Sequence, residues 1–120
     1  MSDIELLCSG GKFDIYQIVG TKADVLSVLG NLEQSNPSEH EKAIALLTRV
    51  AQLGPLFNLQ QSRKTSFEGL IELKPGSYRI PYFYHPSLPN VIVLTHMFKK
   101  CPRKEQDKEL KYADKLHQQF

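Results

Sequence analysis

The spacing of hydrophobic and polar positions changes period several times along the chain, and each change marks an element. From Phe13 to Val19 the run FDIYQIV is rich in β-branched and aromatic residues and predicts a strand. Thr21 followed by Asp24 has the form of a capping box, and Val25, Val28, Leu29 and Leu32 recur at helical spacing. In the turn QSNPSEHEK, Asn36 can cap a second helix, with Pro37 at its first position and Glu39 in its first turn. Ala43, Ile44, Leu46, Leu47, Val50 and Leu53 then form an apolar stripe that Gly54 and Pro55 end. Two such stripes predict an antiparallel helical hairpin with one apolar face to bury.

After a polar loop, GLIELK, SYRIPYFYH and NVIVLTHMF are separated by the turn signals PGS and PSLPN, which predicts a three-stranded antiparallel meander. The charged segment from Arg103 to Gln119 carries Leu110, Ala113 and Leu116 at helical spacing. The order β-α-α-β-β-β-α predicts an α+β domain, an antiparallel sheet with the helices packed on one face. No repeat, low-complexity tract or linker divides residues 1–120, so one domain is expected, with residues 1–12 as a flexible lead-in.

With 120 residues and 41% hydrophobic content, the chain can bury one core without staples. No apolar run approaches the ~20 residues needed to cross a bilayer, and the N-terminus lacks a signal-like segment. A cytosolic protein with no membrane partner is expected. Cys8 and Cys101 form no CxxC, and no histidine pair has metal-ligand spacing, so free thiols and no metal or cofactor are expected. A net charge of +2 hides an asymmetry: acids outnumber bases up to Gln60, and the balance reverses beyond it. That basic half suits a polyanionic partner, nucleic acid or an acidic protein segment, unless it is simply a solvated surface.

Within the basic half, the run VIVLTHMFKK ends in Lys99 and Lys100, which either begin a solvated loop or deliver charge to the rim of the sheet. Arg79 carries a planar fork able to hold two phosphate oxygens. Strand alternation puts Glu72 opposite Ile71 and Leu73, where it serves as a proton acceptor or pairs with Arg79. Pairing would lower its pKa and weaken it as a base. His96 shares the parity of Ile92, Leu94 and Phe98, and is either a proton carrier or a hydrogen-bonded core histidine. Pro81 inside YRIPYF implies a bulge or an unpaired strand side.

Glu72-Leu73, Tyr78-Arg79, the run from Leu94 to Lys100, and Glu109-Leu110 with Ala113 fall in one order and spacing. In these motifs the chain resembles the RelE/HigB toxin superfamily, in particular its phage-derived, HigB-like branch, from Phe13 to His117. The resemblance implies a RelE-like fold and a toxin of a type II toxin-antitoxin system. It further implies a ribosome-dependent messenger RNA endoribonuclease that uses the RNA 2′-hydroxyl as nucleophile and needs no metal. By the same resemblance, Arg79 and Lys100 lie beside the scissile phosphate and Glu72 or His96 is the base, while Lys74, Lys99, Arg103 and Lys104 contact RNA. The implied partners are the ribosome, its messenger, and a cognate antitoxin of helix-turn-helix type whose acidic segment covers Arg79, Lys99 and Lys100. The chain departs from the family pattern at Pro81, Cys101 and Gln106. Those departures keep two other classes open: a RelE-fold protein that binds RNA or an antitoxin without cleaving, and a phage protein-interaction module.

Overall fold

A computed structural model describes residues 3–54 and 61–120. The elements are β1 (Ile4–Cys8), β2 (Asp14–Ile18), α1 (Val25–Ser35), α2 (Pro37–Leu53), β3 (Ser62–Lys64), β4 (Ile71–Leu73), β5 (Tyr78–Tyr84), β6 (Val91–Leu94), β7 (Phe98–Lys99) and α3 (Arg103–His117). Their strands form one sheet in the order β1-β2-β6-β5-β4-β3, with β7 continuing along β5. The meander β4-β5-β6 is antiparallel as expected, whereas β2 runs parallel to β6 because the hairpin of α1 and α2 carries the chain back over the sheet.

Local signals place the helices. Asp24, rather than Thr21, is the cap of α1: its Oδ1 accepts from the Ser27 N–H at 2.8 Å. Asn36 ends α1 and caps α2, with Pro37 at the first position and Gly54 closing the helix at φ +86°. Replacing Asp24 by alanine should lower the free energy of unfolding by about 1 kcal/mol. The urea midpoint should fall with an unchanged slope.

Two apolar layers sandwich the sheet. On one side Val25, Leu29, Leu32, Ala43, Leu46, Leu47 and Val50 of the hairpin meet Ile15, Leu73, Ile80, Tyr82, Ile92 and Leu94. On the other, Leu110, Ala113 and Leu116 of α3 meet Ile18, Leu70, Phe83, Val91 and Val93. The hairpin covers one face as expected, and α3 covers the other instead of joining the hairpin's side. The central strands are apolar on both sides, as Val91 to Leu94 show, so alternation could not reveal which face was free.

Two strands lie where none was predicted. Residues 4–8, expected within a flexible lead-in, pair antiparallel with β2, and Ser62–Lys64 of the polar loop pair with β4 as the far edge. The two edge strands are short, the apolar IELLC of β1 and the polar SRK of β3, and neither carries an alternation that marks a strand. The end of the polar loop nearest the hairpin, residues 55–60, lies outside the described residues, as does Pro55 of the predicted stop.

Pro81 has the consequence its position implied. It brings no N–H to the ladder, and opposite it the partner strand breaks between β6 and β7. The register runs from Tyr82↔Leu94 to Arg79↔Phe98, so the partner side holds one residue more than β5. The Thr95 N–H and hydroxyl both reach the Pro81 carbonyl, at 2.9 and 3.0 Å. One extra residue inverts the parity beyond it. Met97 joins the hairpin core, and Phe98 no longer shares a face with Leu94, contrary to simple alternation.

Candidate nucleic-acid interface

The inverted parity decides where the cations go. Lys99, paired with Tyr78, lies on the hairpin side, close enough to Glu39 to help lower that carboxyl's pKa, although the Ser77 N–H bond is the largest cause. Lys100, the next residue, is anchored by its N–H to the Ser77 carbonyl at 2.7 Å and faces the α3 side. There, an open cavity of about 570 Å³ lies between β3, β4, β5 and the start of α3. Arg63, Glu72, Lys74, Arg79, Lys100, Arg103, Gln106 and Asp107 are among its lining residues.

Glu72 is the hub of this cavity. Its side chain is fully buried, because α3 roofs the sheet face that alternation had correctly separated from the hairpin. Arg63 Nε donates to its Oε1 at 2.9 Å, and Gln106 Nε2 donates to both oxygens at 3.1 and 2.9 Å. The ion-pair reading of Glu72 thus holds with a different partner: Arg63, not Arg79, makes the contact. Arg63 stands directly across the β3-β4 ladder from Glu72, a register that sequence could not supply for an unpredicted strand. Gln106, noted only as a departure from a family pattern, is the second clasp.

Arg79 is buried, with a relative exposure of 6%. Its Nη1 donates to the carbonyls of Gly76 and Tyr78 at 3.0 and 2.7 Å, which fixes the guanidinium at the cavity wall. Burial lowers its pKa, Glu72 raises it and Arg63 lowers it, yet an arginine this far from titration keeps its charge. Cations from three elements, Arg63, Arg79 and Arg103 with Lys74 and Lys100, therefore face two carboxylates, Glu72 and Asp107. Such an excess in a half-enclosed space favours an anion with several oxygens. Burial, reinforced by Glu105, Glu109 and Glu72, raises the Cys101 pKa, so the thiol there is protonated at neutral pH.

The structure brings together Glu72, Lys74, Arg79, Lys100 and Arg103 of the residues singled out from sequence. Lys99 and Lys104 are exposed but do not line the cavity. His96 does not line it either. It is fully buried beside α3, stacked on Phe98 and edge-on to Tyr112, with Nδ1 3.1 Å from the Thr95 hydroxyl and Nε2 3.5 Å from Glu109. Lys22 completes that cluster, bonding Glu109 through Nζ and Tyr112 Oη through its N–H. Among the described residues, no group of three His, Cys, Asp or Glu side chains is placed to hold a metal ion, and no helix is long and apolar enough to cross a membrane.

Comparison with solved structures gives the α+β, RelE-like architecture an independent footing. A chain of a heterotetrameric YoeB-YefM toxin-antitoxin complex from Staphylococcus aureus superposes with a TM-score of 0.53 at 16% identity, over 77% of this chain and 100% of that one. A second YoeB-YefM complex from the same organism gives 0.53 at 17% identity over the same shares. At such identity the likeness is one of fold. No curated protein matches the chain. Residues 30–118 do match the family described as Phage derived protein Gp49-like (DUF891), a stretch that runs from α1 through the cavity to the end of α3. With most of its length and all of its cavity inside that match, the chain belongs to the phage-derived Gp49-like family.

Proposed function

We propose that this protein is the toxin of a type II toxin-antitoxin pair, of the phage-derived HigB-like branch, and that its cation-lined cavity binds and cleaves messenger RNA on the ribosome in the cytoplasm. The observation that carries this reading is the convergence of Arg79, Arg63, Lys100 and Arg103 on one open cavity around a buried carboxylate. The toxin fold shared with YoeB and the phage-derived family match both support it.

Cleavage of RNA by its own 2′-hydroxyl needs a positioned phosphate, cations for the charge that develops on it, and a weak proton acceptor. Arg79 and Lys100 supply the cations. Glu72 keeps Arg63 in place, and the 2′-hydroxyl proton goes to a cavity carboxylate or to water, because among the described residues no histidine lines the cavity. In this reading His96 is a core residue. Lys74, Lys99, Arg103 and Lys104 follow the RNA backbone, and an acidic antitoxin segment, from a helix-turn-helix partner, neutralises Arg79, Lys99 and Lys100.

Products should carry 5′-hydroxyl ends with 2′,3′-cyclic or 3′-phosphates, and cleavage should survive EDTA. Two-metal hydrolysis requires a carboxylate cluster, and among the described residues this cavity offers only Glu72 and Asp107, one of them already clasped by Arg63 and Gln106. Induction in a bacterial host, with mapping of messenger 5′ ends and kinase labelling of the products, is the test. Ends bearing 5′-phosphate, or loss of cleavage with EDTA, would exclude the mechanism.

One observation favours a second reading, binding of RNA or antitoxin without cleavage. Both oxygens of Glu72 are engaged and its side chain is buried, which makes it a better clamp than base. Growth arrest with no new messenger ends would select that reading.

A further inference from the structure

A second cavity, of about 390 Å³, opens on the hairpin side between α2 and the β4-β5 turn. Its cations are Lys42 and Arg49 of α2 with Lys74, over a floor of Ala45, Pro75 and Gly76. Among the described residues no carboxylate lines it. Glu39, close by, is occupied: its carboxylate accepts from the Ser77 N–H and hydroxyl, each at 3.0 Å. Lys74 belongs to both cavities, so the two basic surfaces meet at one residue.

We propose that this second cavity is an RNA backbone subsite that continues the strand's path from the first cavity across Lys74 to α2. The inference rests on the reading of the first cavity as an RNA site and extends it to residues that no motif singled out. Lys42 and Arg49 stand seven residues apart, about 10 Å of helical rise, a span suited to successive phosphates rather than to one small anion. Lys99, turned to the hairpin side by the register shift at Pro81, adds charge to the same flank. Among the described residues the one large apolar side chain of the lining, Leu46, is buried, so a folding acidic peptide finds no apolar anchor there, whereas phosphodiesters need only the cations.

The test compares wild type with the double variant Lys42→Gln, Arg49→Gln, after circular dichroism confirms equal helix content. Binding is measured to a short 2′-O-methyl single-stranded RNA, which resists attack by its own sugar, and by co-sedimentation with ribosomes. The double variant should bind at least about tenfold more weakly at low salt, and the slope of log K against log salt should shrink by about 1.4, two contacts' worth for a single strand. Loss on the oligonucleotide supports the continuous path, and loss on ribosomes alone would give the surface to ribosomal RNA and overturn that path. Unchanged binding in both assays overturns the proposal. So does unchanged RNA affinity with lost binding to polyglutamate, which would give the surface to an acidic protein. Cleavage is scored separately. A wild type that binds through Lys42 and Arg49 but never cuts keeps the subsite and removes the nuclease, while one that cuts with the double variant binding normally removes the subsite alone.

Discussion

With Arg79 replaced by alanine, induced expression should no longer arrest growth, and messenger cleavage should fall about 10² to 10³-fold, the usual loss when one transition-state donor of ~3 kcal/mol is removed. The fold should survive. Arg79 contributes its backbone to the ladder with Phe98 whatever side chain it carries, and the side chain's own bonds are two local contacts to the carbonyls of Gly76 and Tyr78. Losing those neutral-acceptor bonds and some buried stem should cost about 1 to 2 kcal/mol, visible as a lower melting temperature but not as unfolding. Arg79→Lys separates charge from shape: a point charge at the same place restores attraction for phosphate but not the two-pronged grip, so partial recovery of binding with little recovery of rate is expected. Toxicity and thermal melting should be measured on the same preparations. A folded Arg79→Ala variant that still arrests growth would remove Arg79 from the chemistry.

How far the sequence reaches is clearest at the cavity itself. Helix stripes, caps and the meander were legible because each is a local pattern over several turns or strand pairs, and Asn36 with Pro37 marks a boundary without any tertiary information. Arg79 and Lys100 were legible by residue chemistry and motif. Arg63 was not, because its importance depends on a three-residue edge strand whose register against β4 is a tertiary fact. Glu72 shows both sides of the limit. Alternation assigned it to the correct face, but burial of that face depends on α3, whose charged sequence gave no sign of which sheet surface it would roof. That Lys100 rather than Lys99 faces the cavity follows from Pro81, whose missing N–H was visible in the sequence, through an extra residue on the opposite strand that was not.

His96 should make the protein's stability depend on pH in a window that few other groups share. Its full burial holds the pKa down to about 4, with Glu109 raising it and Lys22 lowering it further. The ring is therefore neutral in the folded state at pH values where an unfolded histidine, near 6.5, takes up a proton. The sign follows: stability is greatest above pH 6.5 and falls as pH drops toward 4, by about 3 kcal/mol in all and about 2 kcal/mol between pH 7 and pH 5. Asn at position 96 can keep the bond to the Thr95 hydroxyl while removing the titration, so His96→Asn should be less stable at pH 7 but nearly level with wild type at pH 5. Urea unfolding of both proteins across this range measures the difference, in which the other carboxylates and histidines cancel. Parallel curves would mean that the pKa of His96 does not move on folding, whereas a wild type that gains on the variant as pH falls would mean that His96 already carries its proton when folded and forms a true ion pair with Glu109. In that case the cluster of Lys22, His96, Glu109 and Tyr112 would hold α3 by charge rather than by packing, and salt, not acid, would loosen the helix that brings Gln106 to Glu72.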